Sequence, residues 1–438
     1  MSRYTARITI LLGLSVVIVC IGIAAYFTWP FLTTGSRVRN EIANIKASGE
    51  PVCRADMEVN RLPGCQNAAD VYIKAFKLIS QHYKSQDFAT LRQLIKPMNG
   101  TRDTRPWAES KPIVDKYEEV FDLISQADKI DYCRFPLGWK EGLFPDTSMC
   151  QGMRNLATLT TARAILSARE GSMDKAGCNI ESSLKMAASF SNEPALIPFL
   201  ARIALIKMGT GAIYSALDYG SFSEAQTQRL MKLLSSNDLN TGYTHALITE
   251  RAVGINKFYD LSRLSVGADH NTDIKSKKPS QVMRIIFSLD EKCYLDLMNK
   301  EIKNAGLSYR QAKQKGLLTQ HLPRYAITTS IMIPLYVRIR IVRDTGIVSI
   351  DGAKIILMLE SFRRKYGRYP LSLNELRQKL RVVLPKDIFS GNDFVYRPNG
   401  SGFLLYSIGE DLKDDGGKPV GSNKKSPKLG DYSWELRR

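Results

Sequence analysis

The chain has 438 residues, of which 44% are hydrophobic and 24% charged, and its formal net charge is +19. This composition excludes a disordered or fibrous chain, and the length allows two or three domains with cores of their own. The basic excess favours an anionic partner, whether polymer or lipid. It is concentrated between Asn271 and Thr345, where 14 lysines and arginines face six acids. No helix-turn-helix, zinc-finger or aromatic RNA-binding motif accompanies it, so a solvated basic face is preferred over nucleic-acid binding.

In chain order, Ile8 to Phe27 is a charge-free run of 20 residues, enough at about 1.5 Å per residue to cross a hydrocarbon core of about 30 Å. Tyr26 and Trp29 stand where an interfacial aromatic belt is expected. A cleaved signal peptide has a shorter apolar core, about 7–15 residues. Val17-Ile18-Val19 before Cys20 lacks the small residues of a lipobox. Residues 1–34 are therefore expected to be a cytoplasmic tip and an uncleaved signal anchor, through which the chain contacts membrane lipid. Arg3 and Arg7 before the run and Arg37 and Arg39 after it leave orientation to other signals.

Six cysteines follow the anchor: Cys53, Cys65, Cys133, Cys150, Cys178 and Cys293. Cys53 and Cys65 bracket a turn-rich segment, as do Cys133 and Cys150, and loop-local pairing is the simplest of the 15 connectivities that six cysteines allow. Such disulfides would place the body of the chain outside the cytoplasm; buried thiols are the alternative. No pair has the two-residue spacing of a zinc or redox motif.

Residues 36–47 read as a short polar helix. Ala68, Tyr72, Ala75, Phe76, Ile79 and Tyr83 recur at helical spacing behind Asn67, a residue suited to capping. Val114 to Ala127 repeats the pattern. From Asn155 the chain is helical in character, and the Arg169-to-Ala176 turn resembles the inter-helix turn of a tetratricopeptide-type hairpin. Ala195 to Leu217 and Ile327 to Val342 are apolar enough to suggest membrane spans. Arg202 and Lys207 in the first, and Pro334, Arg338 and Arg340 in the second, favour buried core helices instead. Residues 267–279 read as an exposed loop.

No catalytic signature stands out. The four histidines, His82, His245, His270 and His321, show no metal-ligand spacing, and no nucleophile elbow, P-loop or dinucleotide fingerprint is present. Thr244-His245 and Glu250 share a helix face, an arrangement that is usually a satisfied pair. Two carboxylates converging in space would suffice for an envelope hydrolase, and sequence alone leaves that alternative open.

At the C-terminus, Asp351 to Arg368 carries Ile355, Ile356, Leu359 and Phe362 on one face, ended by Gly367 and Pro370. Leu371 to Leu380 reads as a shorter helix. Phe394 to Arg397 and Phe403 to Ile408 flank Pro398-Asn399-Gly400-Ser401-Gly402, a hairpin signal, and Asp431 to Leu436 supplies a third strand.

The order Gly367-Arg368-Tyr369-Pro370, Ser372-Leu373-Asn374-Glu375-Leu376, Leu384-Pro385-Lys386-Asp387, hairpin, Ser407-Ile408-Gly409-Glu410-Asp411 and Gly430-Asp431 resembles the globular domain of type II secretion major pseudopilins. The resemblance implies a calcium site, with Asp411 and Asp431 at the matching positions and Asp414 and Asp415 as added oxygens. It does not extend to the filament-forming helix, since residues 1–32 contain no acid.

The expected fold is mainly α: an N-terminal transmembrane helix (1–34), a helical-bundle ectodomain (35–345) and a small α+β domain with a short antiparallel sheet (346–438). The expected role is a non-enzymatic interaction or scaffold protein of the bacterial inner membrane, with its bulk extracytoplasmic and a protein or anionic envelope polymer as partner. An accessory factor of a secretion or pilus-like system is the alternative.

Overall fold

The computed structural model describes residues 33–58, 66–96, 104–139, 146–263, 281–319, 321–418 and 430–436. The expected anchor, Cys65 and the loop 267–279 lie outside them. The described chain is mainly helical, with one small three-stranded antiparallel sheet. It divides into two compact units, one made of residues up to Met57, Glu250–Ile302 and His321–Pro334, the other of Glu58–Thr249, Lys303–Gln320 and Leu335–Arg438.

The first unit contains helix α1 (33–47), α2 (Arg54–Met57), the later part of α11 (Leu239–Arg263), nearly all of α12 (Gln281–Lys303) and the first turns of α14 (Ile327–Tyr366). Polar ties hold it. Asp290 on α12 is 2% exposed, and its carboxylate accepts from Thr328 N at 2.8 Å and from Thr329 N at 3.1 Å. A side chain from a neighbouring helix thus satisfies the first amides of α14, which have no partner within their own helix. Arg251 pairs with Glu50 and donates to Asn299, which in turn donates to Glu41 at 2.7 Å. Gly254 is required where it stands, because a Cβ there would lie 2.1 Å from the Tyr294 hydroxyl oxygen, which donates to the Glu250 carbonyl.

The second unit opens with α3 (Ala68–His82), α4 (Ser85–Leu94), α5 (Trp107–Asp115) and α6 (Glu118–Ala127). Asn67 caps α3 through Ala69 N, as its residue type suggested. The Val114–Ala127 periodicity is split between α5 and α6: Tyr117 leaves helical backbone at φ −107° and ψ 30°, and its ring is buried there. Helix α7 (Ser148–Arg169), α8 (Met173–Ala188) and α9 (Leu196–Leu217) pack on one another around the short turn at Gly171. Among the described residues α9 is the one helix long and apolar enough to cross a membrane by length and composition, and 61% of its most apolar window is buried within the protein.

Helix α10 (Glu224–Ser235) opens with a complete capping box from Ser223 and Gln226, and α13 (Tyr309–Gln314) repeats the device with Ser308 and Gln311. Helix α15 (Leu373–Leu380) precedes the sheet, whose strands β1 (Val395–Asn399), β2 (Gly402–Ser407) and β3 (Tyr432–Leu436) lie in the order β1-β2-β3. Val395 pairs with Tyr406 and Phe403 with Leu436. The sheet sits on α14, where Gly352 leaves room for the Trp434 ring, and on α9, where Glu435 N donates to the Tyr214 hydroxyl at 3.0 Å.

The basic excess of 271–345 is not all surface. Arg340 and Arg343 on α14 are 1% and 0% exposed. Arg343 holds Asp344 at 2.6 Å and donates to the carbonyls of Ala305 and Leu307, while Arg340 donates to those of Asn304 and Leu307. The Asp344 carboxylate accepts from Tyr309 N at 2.6 Å, and the Tyr243 ring lies 5.0 Å from the Arg343 guanidinium. Two cations expected to face solvent instead clasp the turn between α12 and α13 inside the core.

Candidate interaction groove and terminal loop

The sequence motifs around the terminal sheet have mutual partners. Tyr369 is buried and its hydroxyl donates to Glu360, itself 1% exposed, so the Tyr-Pro corner is bolted to α14. Tyr396 on β1 donates to the Pro370 carbonyl at 2.8 Å. Ser372 caps α15 through Glu375 N, and the Glu375 carboxylate accepts from Leu371 N and pairs with Arg368. Asp387 accepts from Phe389 N, Ser390 N and, at 2.7 Å, the Ser407 hydroxyl. The Pro-Lys-Asp and Ser-Ile-Gly motifs therefore meet in one buried tie. Gly409, at φ 74°, is needed because a Cβ would lie 2.4 Å from the Gly430 carbonyl oxygen.

The four aspartates of the expected calcium loop are distributed over turns. Asp411 accepts from Lys413 N, and Asp414 accepts from Gly416 N and the Tyr406 hydroxyl. Asp431 is 1% exposed and accepts from Gly417 N at 2.7 Å and Asp415 N at 3.4 Å. Burial pushes its carboxyl up from the usual range, with Asp414 and Asp415 adding to the shift. The acids are thus close enough to feel one another, yet oxygens of Asp411, Asp414 and Asp431 are engaged with backbone donors. Among the described residues no group of three or more His, Cys, Asp or Glu could hold a metal ion.

Cys53, Cys133, Cys150, Cys178 and Cys293 are free thiols, so the staple expected between Cys133 and Cys150 is not formed. Burial pushes both of those thiols up to about 12, which leaves them inert at neutral pH. Pairing of Cys53 with Cys65 falls outside the described residues. The three described histidines, His82, His245 and His321, are all exposed.

What the sequence reading missed is a groove between α10, the end of α14 and α15. Its volume is about 680 Å³, within the usual range for binding sites. Met231, Leu357, Met358, Leu380 and Val382 make an apolar floor, and Glu224, Gln228, Arg364 and Lys365 stand among the polar lining. Arg364 is a latch: it pairs with Glu224 at 2.5 Å and donates to the Phe222 carbonyl at 2.6 Å, holding α10 to α14. Lys365, Lys379 and Arg381 on the groove or beside it make no hydrogen bond or ion pair through their side chains among the described residues. Val383, next to Val382 in the chain, is 92% exposed. The signal available in sequence was the cluster of basic residues at the end of α14, a position where cations also complement the helix dipole. The groove is thus an apolar trough with cations at its edge.

No protein-family model, curated protein or solved structure matches this chain.

Proposed function

We propose that the chain is a membrane-anchored interaction protein of the bacterial envelope, its folded body extracytoplasmic, that uses the groove between α10, α14 and α15 to hold a segment of a partner protein. The groove carries this reading. Its apolar floor supplies the burial on which affinity rests, and its free cations supply orientation and steering. The anchor is supported by the 20-residue apolar run Ile8–Phe27 and its aromatic flank. The preference for a scaffold over an enzyme rests on a sequence without a catalytic motif.

In-cell crosslinking from a photoreactive residue at position 365 or 383 tests the groove. Envelope proteins with an acidic segment are the expected adducts, reduced at least fivefold by the charge reversals Lys365→Glu and Arg381→Glu. Adducts that are mostly cytosolic enzymes or ribosomal proteins would refute the reading.

An accessory role in a secretion or pilus-like system is a second reading, favoured by the Asp387–Ser407 tie between two of the pseudopilin-like motifs. It brings with it calcium at the loop of Asp411, Asp414, Asp415 and Asp431. Calcium at about 1 mM, the working range of extracellular modules, would then raise the melting temperature of wild type and not of Asp414→Asn/Asp415→Asn. Equal curves would remove calcium from the account.

A further inference from the structure

The first unit contains a cavity of about 520 Å³ whose charged groups have no partners. Val38 and Ile42 from α1, Ile255, Phe258 and Tyr259 from α11, and Phe287 from α12 form its apolar walls. Arg39 and Arg284 line it as well, both exposed, and neither makes an ion pair or a hydrogen bond among the described residues. Gly35 brings two of the polar groups together: a Cβ there would be 3.6 Å from both Arg39 Nη1 and Ser288 Oγ. Glu291, half-buried, completes the lining and likewise has no partner among the described residues.

A carboxyl set among apolar side chains without a partner is costly, and two guanidiniums that face open solvent beside it keep their donors available to a ligand. The combination is understandable if a ligand completes it. Such a ligand needs an apolar chain for the walls and an anionic head that can accept from two arginines. Guanidinium is the side chain best suited to phosphate and carboxylate oxygens. The cavity also stands at the right place in the chain, because Gly35 and Arg39 follow the end of the apolar run at Phe27 by 8 and 12 residues.

We propose that this cavity binds a membrane phospholipid with an anionic head group, the acyl chain lying on Ile42, Ile255, Phe258 and Phe287 and the phosphate held by Arg39, Arg284 and Ser288. Burial pushes the Glu291 carboxyl up to about 7, so that near neutral pH much of it is uncharged. In that form it does not repel the head group and can donate to an ester or phosphate oxygen. The proposal rests on the anchored reading only for the source of the lipid, which is the leaflet next to the anchor.

The test uses the full chain in phosphatidylcholine nanodiscs and a dihexanoyl-phosphatidylglycerol with a diazirine in its acyl chain, added below its micellar concentration. Co-elution with the nanodiscs reports on the anchor. The mapped photo-adducts report on the cavity, whether or not the anchor holds. Adducts are expected on the peptides carrying Ile42, Phe258 and Phe287, at least fivefold above those from the phosphatidylcholine analogue. They should fall at least fivefold in Arg39→Gln/Arg284→Gln, whose side chains are exposed and whose fold is preserved, and also in Ser288→Trp, which fills the cavity. Adducts confined to other surfaces, equal labelling by the choline analogue, or labelling indifferent to the double substitution would overturn the proposal.

Discussion

The buried clasp of Arg340, Arg343 and Asp344 and the cavity of Arg39, Arg284 and Glu291 handle charge in opposite ways. In the clasp each charged group is bonded to the α12–α13 turn, to the amide of Tyr309 or to a neighbouring charge. In the cavity the charges are left uncommitted beside apolar walls. A satisfied buried network fixes architecture, because the cost of taking its ions from water is offset only when the bonds are complete. An unsatisfied one is costly unless something else completes it. Engagement with protein partners thus separates structural charge from charge available to a ligand.

Breaking the clasp should have the largest effect. Asp344→Ala removes from the core the carboxylate that Arg343 bonds, and the expected loss is about 3–5 kcal/mol in urea unfolding. A loss under about 1 kcal/mol would mean that the pair is not sealed from water.

The cavity should respond in the opposite sense. The Glu291 carboxyl rises from 4.5 to about 7 on folding, so the folded state holds the proton more tightly and stability falls as pH climbs through that window. Glu291→Gln has no proton to lose. It should match wild type below pH 4.5 and exceed it by about 1–3.5 kcal/mol above pH 7, the upper figure being the full shift at about 1.4 kcal/mol per unit and the lower allowing for partial exposure. Parallel stability–pH curves would show that the carboxyl is already solvated or paired.

The terminal ties should fall between these and simple surface changes. Asp387→Ala strands Phe389 N and the Ser407 hydroxyl, both buried, and should cost about 2 kcal/mol. Ser372→Ala removes only the cap of α15, for about 1 kcal/mol. Reversal of that order in denaturant titrations would argue that the motif order reflects something other than packing.

The C-terminal elements were the most legible part of the chain. Helix, hairpin and third strand each carry local chemistry: Gly367 and Pro370 as a stop, Gly400 and Ser401 as a turn. Helices α10, α12 and α13 went unread because α10 and α13 are short and largely polar and because α12 is tied in by partners such as Thr328 and Thr329 that lie far along the chain. The split at Tyr117 and the burial of Arg340 and Arg343 were illegible for another reason. Both depend on partners far along the chain, and periodicity carries no information about those. The groove and the cavity share that origin, being assembled from helices up to about 250 residues apart.

Membrane anchorage with an extracytoplasmic body is the claim on which the partner, the lipid and the envelope setting all depend. Cys178 is an exposed free thiol on α8, whereas Cys133 is buried and Cys150 half-buried, both with raised thiol pKa. The most direct test is brief treatment of intact spheroplasts expressing the full chain with a membrane-impermeant maleimide, followed by peptide mapping. Labelling of Cys178 in intact spheroplasts, unchanged on lysis, is the predicted result; labelling only after lysis would contradict it.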